Sequence, residues 1–310
     1  MVEAPRVTVA IPTFRRPRGL ERLLDALAKL ETTARVDVIV ADNDAARHEG
    51  FDLCGGMQDY RWPLRAVIAS ERGIAAARNA LVGAALEDTD MQFVAMLDDD
   101  EWPEPQWLEA LLKEQARTGA DVLQGSILFD FEARPGDWAA GFDGMSDIRA
   151  PSGPVAMLQG AGNLLIARRV LERLSRPWFD PAFALCGGED RDFFQRLKTA
   201  GARFAWSDEG LAHTFIPATR TSLRWALARA YSIGNSDMRV FVKYAPGARD
   251  WALETLRIAA ALLLSPVLLV ILAFSANRRA DALRRMFRAA GKLTALFGRQ
   301  YNEYSVIHGD

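Results

Sequence analysis

The stretch that most constrains this chain is Phe93-Val94-Ala95-Met96-Leu97-Asp98-Asp99-Asp100-Glu101, where an uncharged apolar run ends in four consecutive acids. Such a run reads as a buried strand of a parallel sheet. The acids then stand at its carboxyl end, the edge at which open α/β sheets bind ligands. Four adjacent like charges oppose one another in a compact site unless a cation shares the space, and a divalent metal carrying a phosphorylated ligand does that. The same acids suit a solvated turn that caps the next helix, because Trp102-Pro103-Glu104-Pro105 has the composition of a helix entry. The stretch alone leaves both readings open.

The rest of the chain supplies the sheet. Arg6 to Pro12 is a β-branched run stopped by proline, and Leu20, Leu23, Leu24, Leu27 and Leu30 follow at helical spacing. Val36 to Ala41 is a second strand that ends in Asp42-Asn43-Asp44, and Leu64 to Ala69 is a weaker third. The alanine-rich segment Gly73 to Leu86 predicts a helix with few large side chains, able to lie close to the sheet. Strands alternating with helices predict right-handed βαβ units and a parallel sheet. Downstream, Trp107, Leu108, Leu111 and Leu112 form one helix face, and Asp121 to Phe129 is another strand candidate. Residues 130 to 160, rich in Gly, Asp and Pro, predict a long functional or mobile loop. Gly160-Ala161-Gly162-Asn163 leads into a further apolar stretch, and Gly187-Gly188-Glu189-Asp190 opens a helix with Phe193, Phe194 and Leu197 inward.

Half of the 310 residues are hydrophobic and a quarter charged, enough to bury a sizeable core. A net charge of −2 gives no global pull toward nucleic acid. Two cysteines without metal-type spacing, Cys54 and Cys186, predict a reducing compartment and no disulfide framework. No basic-then-apolar leader precedes the first strand, so no signal peptide is expected. Toward the carboxyl end, Ile258 to Ala276 carries no charge, close to the ~20 residues that cross a bilayer. A basic, partly amphipathic segment follows, with Arg278, Arg279, Arg284, Arg285, Arg288, Lys292 and Arg299 against Asp281, Glu303 and Asp310. Residues 258–299 are therefore expected to associate with an anionic membrane surface, rather than to form core helices of a soluble dimer.

Four polar clusters fall at strand ends or helix starts: Thr13-Phe14-Arg15, Asp42-Asn43-Asp44, Arg72-Gly73 with Arg78-Asn79, and Asp98-Asp99-Asp100. In a doubly wound sheet these ends line one edge, so the clusters converge there. A carboxylate can accept from a base edge, an arginine can neutralise phosphate, and a carboxylate-held metal can bridge two phosphates. Singly each has a plainer use, Arg78 as a solvated helix residue and Asp42 as a turn former.

In order and spacing, V-A-I-P-T-F-R-R-P, V-I-V-A-D-N-D, R-G-I-A-A-A-R-N, F-V-A-M-L-D-D-D-E and G-G-E-D-R-D-F-F-Q-R-L resemble the inverting family-2 glycosyltransferases over roughly residues 6 to 235. The resemblance implies the glycosyltransferase A-type fold, α/β with a Rossmann-like, mostly parallel sheet flanked by helices. It implies a nucleotide-sugar donor, a UDP-sugar first of all, and Mn²⁺ or Mg²⁺. Carried over, Pro12, Thr13 and Arg15 line the nucleotide pocket, Asp42 accepts from the nucleobase, and Arg78 contacts base or phosphate. Asp98 and Asp100 are the outer acids of the D-x-D element, with Asp100 the direct metal ligand. Asp99 faces away or bonds the donor sugar, and Glu101 is left as a first-turn acid of the next helix. Asp190 is the general base, tuned by Glu189 beside it at the donor site. On spacing alone that pair reads as helix N-terminal acids. His213 is a further candidate metal ligand. Processive members carry glutamine three residues before an Arg-Trp pair such as Arg224-Trp225. Thr221 stands there instead, which favours adding one sugar per encounter.

The implied organisation is a catalytic domain over 1–215, a helical extension closing the site over 216–250, and a membrane-associating segment over 251–310. The implied acceptor is a lipid-linked or other glycan. Nucleotide sugars are cytosolic, so the enzyme would sit peripherally or monotopically on the cytoplasmic face of the inner (plasma) membrane. The basic tail opposes a full span, so the apolar run is expected to enter and return, bent near Ser265-Pro266, or to lie shallowly. Two other functions compete. A nucleotidyltransferase would show a Gly-rich triphosphate signature, which Thr13-Phe14-Arg15-Arg16-Pro17 lacks. An inert scaffold of a glycan-assembly complex would not need intact acid sets.

Overall fold

The computed structural model describes residues 4–301 except 143, 245 and 246. Glu303 and Asp310 of the tail thus lie outside the described residues. The amino-terminal half alternates as expected: β1 (Arg6–Thr13), α1 (Pro17–Leu27), β2 (Arg35–Asp42), α2 (Glu49–Gly56), β3 (Leu64–Ile68), α3 (Ile74–Leu86) and β4 (Phe93–Met96). Then come β5 (Glu101–Pro103), α4 (Trp107–Thr118), β6 (Val122–Phe131), β7 (Gly153–Val155), β8 (Leu164–Ala167), α5 (Arg168–Arg173), α6 (Glu189–Thr199) and β9 (Phe204–Ile216). Three helices close the chain: α7 (Leu223–Lys243), α8 (Ala248–Ile271) and α9 (Ala276–Leu296).

The sheet runs β3-β2-β1-β4-β8-β6-β9-β5, with β7 paired to β9. β1, β2, β3 and β4 are mutually parallel, and β6 is parallel to β9. β8 is antiparallel to both β4 and β6. The sheet is therefore mixed, with its parallel half carrying the polar strand ends. Helices cover both faces. Leu20, Leu23, Leu24 and Leu27 of α1 are fully buried with Trp107 and Leu111 of α4 on one face. On the other, the alanines of α3 and Phe193, Phe194 and Leu197 of α6 pack against Ala10, Ile39 and Val94. Cys54 and Cys186 are both buried free thiols.

Three expectations are corrected. Trp102-Pro103-Glu104-Pro105 is not a helix entry: Glu101–Pro103 forms edge strand β5, antiparallel to β9, and the helix starts only at Trp107. The 130–160 segment is not loose. Ile127 bridges Ile148, β7 joins the sheet, and Phe142 and Met145 are buried against Ala226 of α7 and Ala280 of α9. Finally, α8 continues through Ser265-Pro266, and the chain reverses at residues 272–275.

Candidate active site

In-register pairing puts Thr13 and Asp42 side by side at the ends of β1 and β2. The Asp42 carboxylate is buried and accepts from the backbone N–H groups of Asp44, Gly50 and Phe51 at 2.8–3.0 Å, so it fixes the entry to α2. A Cβ on Gly50 would stand 2.6 Å from the Thr13 methyl group, which is why this close approach takes glycine. Pro12 is buried within β1. Arg15 adopts a left-handed φ of 57° and donates from Nε to Asp44 at 2.5 Å, a bond that holds the Asp44 carboxyl below its ordinary range. Asn43 donates to the carbonyls of Ala69 and Glu71 and accepts from Gly73 N at 2.7 Å, tying the start of α3 to the end of β2.

The acids after β4 divide by burial. Asp99 turns inward, accepting from Thr13 Oγ1 at 2.9 Å, Phe14 N at 3.3 Å and Arg16 Nη1 at 2.9 Å. Burial pushes its carboxyl up to about 6 against the pull of Arg16, and Asp100 adds to the rise. It is a brace between β1 and β4 rather than a wall of the cleft. Glu101 is buried too, accepts from Asp98 N at 3.0 Å, and lies where a Cβ on Gly162 would come within 2.2 Å of it. Burial, with Asp98 next to it, holds this carboxyl well above its ordinary range. It is therefore an internal acid of the site and not a helix-capping one.

Asp98 and Asp100 are the partly exposed pair. Arg78 donates from Nη2 to Asp98 at 2.9 Å and from Nη1 to Glu189 at 2.7 Å, so one buried guanidinium spans the acids of β4 and α6. Asp100 accepts from Arg16 Nη1 at 2.9 Å, with Arg220 Nη1 at 3.7 Å. Burial works against the Arg16 charge, but Asp99 and Asp100 outweigh it and hold its pKa above the ordinary value. Glu189 is buried, with Oε2 lacking a hydrogen bond. Burial first, and then Asp190, push its carboxyl up to about 7, with Arg78 opposing. Asp190 follows the left-handed Gly187-Gly188 turn. Its Oδ1 accepts from Arg191 N at 2.6 Å, and its Oδ2 stands 3.8 Å from where a Gly160 Cβ would be, so it faces the glycine loop before β8.

Sequence reasoning thus brought Thr13, Arg78, Asp98, Asp99 and Asp100 to one sheet edge, and Arg78 joins to them Glu189 of the pair that the family resemblance supplied. It missed Arg16, Arg220 and Glu101. The signal for Arg16 was its place before Pro17: it precedes the helix that the proline opens. His213 is a correction. Its ring stacks on Trp102, and its two nitrogens face Glu104 and Asp130, each at 3.3 Å, beside a groove of about 500 Å³ along α1. It does not join Asp98 and Asp100, and no group of three His, Cys, Asp or Glu side chains that could hold a metal occurs among the described residues. The donor chemistry of Asp98 and Asp100 still fits Mg²⁺ or Mn²⁺. Both supply hard carboxylate oxygens at the cleft, and magnesium takes one or two carboxylates with the remaining ligands from phosphates and water.

Comparison with known proteins bears on this arrangement. The profile of glycosyl transferase family 2 matches residues 8–174, more than half of the chain. The succinoglycan biosynthesis protein ExoM of Rhizobium meliloti (strain 1021) is 29% identical over 249 residues, 80% of this chain and 79% of the relative. The chondroitin synthase of Pasteurella multocida (strain Pm70) is 25% identical over 67% of this chain, which spans 24% of that longer protein. Among solved structures, S. aureus TarS 1-349 in complex with UDP shares the fold, with TM-score 0.52 over 96% of this chain and 93% of that one at 13% identity.

Proposed function

Because the chain belongs to glycosyl transferase family 2 and is a glycosyltransferase of the A-type fold, we propose that it moves a sugar, with inversion, from a UDP-sugar to a lipid-linked glycan in polysaccharide assembly. The carrying observation is two acid sets on separate elements bridged by one guanidinium: Arg78 joins Asp98, of the Asp98 and Asp100 set after β4, to Glu189, the neighbour of Asp190 on α6. An inverting displacement needs its base across the sugar from the leaving diphosphate, on a different element. The acceptor oxygen forms its bond to the anomeric carbon, its proton passes to the Asp190 carboxylate, and the bond from that carbon to the diphosphate breaks. Arg16, Arg78 and Arg220 face the growing charge on the leaving group. Asp98 and Asp100 would hold Mg²⁺ or Mn²⁺, which supplies further neutralisation there. Thr13, Arg15 and Asp42 border the nucleotide end. The named relatives, a succinoglycan biosynthesis protein and a chondroitin synthase, and the UDP bound to TarS support the donor and product class. Nucleotidyl transfer is set aside by the family.

The carboxyl-terminal helices support the reading of a lipid-linked acceptor at a membrane surface. α8 is long and apolar enough to cross a bilayer, yet Leu263 (72% exposed), Val270 (77%) and Phe274 (104%) stand bare. Arg278 and Arg279, also exposed, begin one turn after Phe274. Guanidiniums so near the hairpin tip suit a helix pair lying shallowly in the headgroup region, with both ends on the cytoplasmic face. Arg288 and Lys292 do not contribute to that face: they turn inward to Asp237 and Glu254.

The test is UDP release from a panel of UDP-sugars with Mn²⁺. Asp100→Asn and Asp190→Asn should each abolish transfer in a folded protein, and turnover retained in both rejects the mechanism. An inert scaffold would bind neither UDP nor Mn²⁺ in calorimetry. Sedimentation with phosphatidylglycerol vesicles should be lost in Leu263→Asp/Val270→Asp. A carboxyl-terminal tag reachable only from the non-cytoplasmic side would exclude the shallow placement.

A further inference from the structure

The base helix is not held by the sheet alone. We propose that Asp237 is a positioning residue that fixes the α6 acid pair by tying Arg191 to the carboxyl-terminal hairpin through Arg288. The proposal rests on the reading of Asp190 as the base.

Asp237 lies on α7 with its carboxylate partly buried between two guanidiniums. Its Oδ2 accepts from Arg288 Nε at 3.1 Å and Nη2 at 2.6 Å, a two-pronged contact from α9. Its Oδ1 accepts from Arg191 Nη1. Arg191 directly follows Asp190, and its backbone N–H is the donor to Asp190 Oδ1. One chain of contacts therefore runs from the base, through Arg191 and Asp237, to α9. A second tie secures the same turn: buried Asp192 accepts from Lys243 Nζ at 2.5 Å and Tyr244 OH at 2.8 Å.

α9 is a firm anchor. A Cβ on Gly234 would fall 2.0 Å from the Arg288 carbonyl, and one on Gly291 2.0 Å from the Tyr231 carbonyl, so the two helix backbones touch. Asn235 donates to the carbonyls of Gly291 and Arg299, and Tyr231 shares a 2.7 Å hydrogen bond with Thr294. Arg191 and Arg288 repel each other, and Asp237 is the carboxylate between them. Without it the guanidiniums separate, and Arg191 takes the first α6 turn with it. A hairpin placed for a membrane thus also sets the attitude of the base.

Asp237→Ala and Arg288→Gln test this in the full chain, beside Asp281→Asn, which breaks ion pairs on the outer side of α9. With the UDP-sugar that turns over in the panel, both test variants should lose tenfold or more in kcat, with donor KM and UDP affinity within twofold. Amide exchange over residues 192–196 should quicken at least tenfold while β4 is unchanged. Asp237→Glu should recover part of the rate, and Asp281→Asn should match wild type. Unchanged kcat and exchange overturn the proposal. So does a fall in kcat that only parallels lost UDP affinity and thermal stability. The exchange readout needs no turnover, so it stands if the base assignment fails, and that failure shows separately as activity in Asp190→Asn.

Discussion

Glu189→Gln separates the two forces acting on the acid pair. Glu189 is buried, bonded to Arg78 and adjacent to Asp190. The salt bridge alone would lower its pKa. Burial and Asp190 win, and the carboxyl is pushed from 4.5 up to about 7. The folded chain then binds a proton that the unfolded chain has already released, so stability is present below about pH 4.5 and falls as pH rises toward about 7. At about 1.4 kcal/mol per pH unit, the loss between pH 5 and pH 8 comes to about 2.5 kcal/mol for this group. Glutamine does not titrate, so the variant escapes the loss. Urea unfolding followed by tryptophan fluorescence, in a mild detergent that covers the hairpin, gives both stabilities from pH 5 to pH 8. The difference, variant minus wild type, should grow by about 2 to 3 kcal/mol across that range, whatever its offset at pH 5. Asp99 and Glu101 tilt both proteins alike and cancel. A difference that is flat, or that shrinks as pH rises, would mean that Arg78 dominates and that the reasoning is wrong.

Asn163, with φ 50°, accepts from Trp107 Nε1 at 2.6 Å and donates to the carbonyls of Ser126 and Gly210 in the core. Asn163→Ala should cost about 4 kcal/mol in urea unfolding, since three buried groups lose partners. Gly291→Ala forces a methyl group onto the Tyr231 carbonyl and should lower stability by about 3 kcal/mol, read as a drop in Tm. Arg78→Lys keeps the charge but not the fork that reaches both Glu189 and Asp98, so UDP release should slow by about tenfold or more.

The strands were legible because period and composition mark them, and a parallel half-sheet then forces its polar ends together. That is how Thr13, Asp42 and Asp98 were gathered from three separate stretches, whereas Asp190, on α6, came only from the family resemblance. Strand direction was not legible for β8, since a short apolar run has no marker of which way it enters the sheet. Nor was the burial of Glu101: it depends on Gly162, which allows the close approach from far along the chain. Arg16 and Arg15 look alike in sequence. The left-handed φ at Arg15 sends one arginine to Asp44 and the next to Asp99 and Asp100. His213 misled because its carboxylate neighbours come from Glu104 and Asp130, outside any acid motif.

The charge pattern of the cleft argues for what it is built to hold. Asp98, Asp99, Asp100, Glu101, Glu189 and Asp190 meet Arg16, Arg78 and Arg220 across one sheet edge. Negative charge is in excess. The three carboxyls pushed upward are the three buried ones, Asp99, Glu101 and Glu189. Protonation of buried members is how such a cluster relieves itself when no other cation is at hand. A purely structural network would gain nothing from the surplus, because each unpaired buried carboxylate costs stability and an apolar replacement would cost less. The surplus accords with the proposed role of the exposed pair, Asp98 and Asp100, in holding a metal. Their partners here, Arg78 and Arg16, are cations that a diphosphate would also attract, and their carboxylate oxygens are of the kind that suits a hard dication. The cost of ionising Glu189 beside Asp190 falls on the folded state, where the pH series on Glu189→Gln measures it directly.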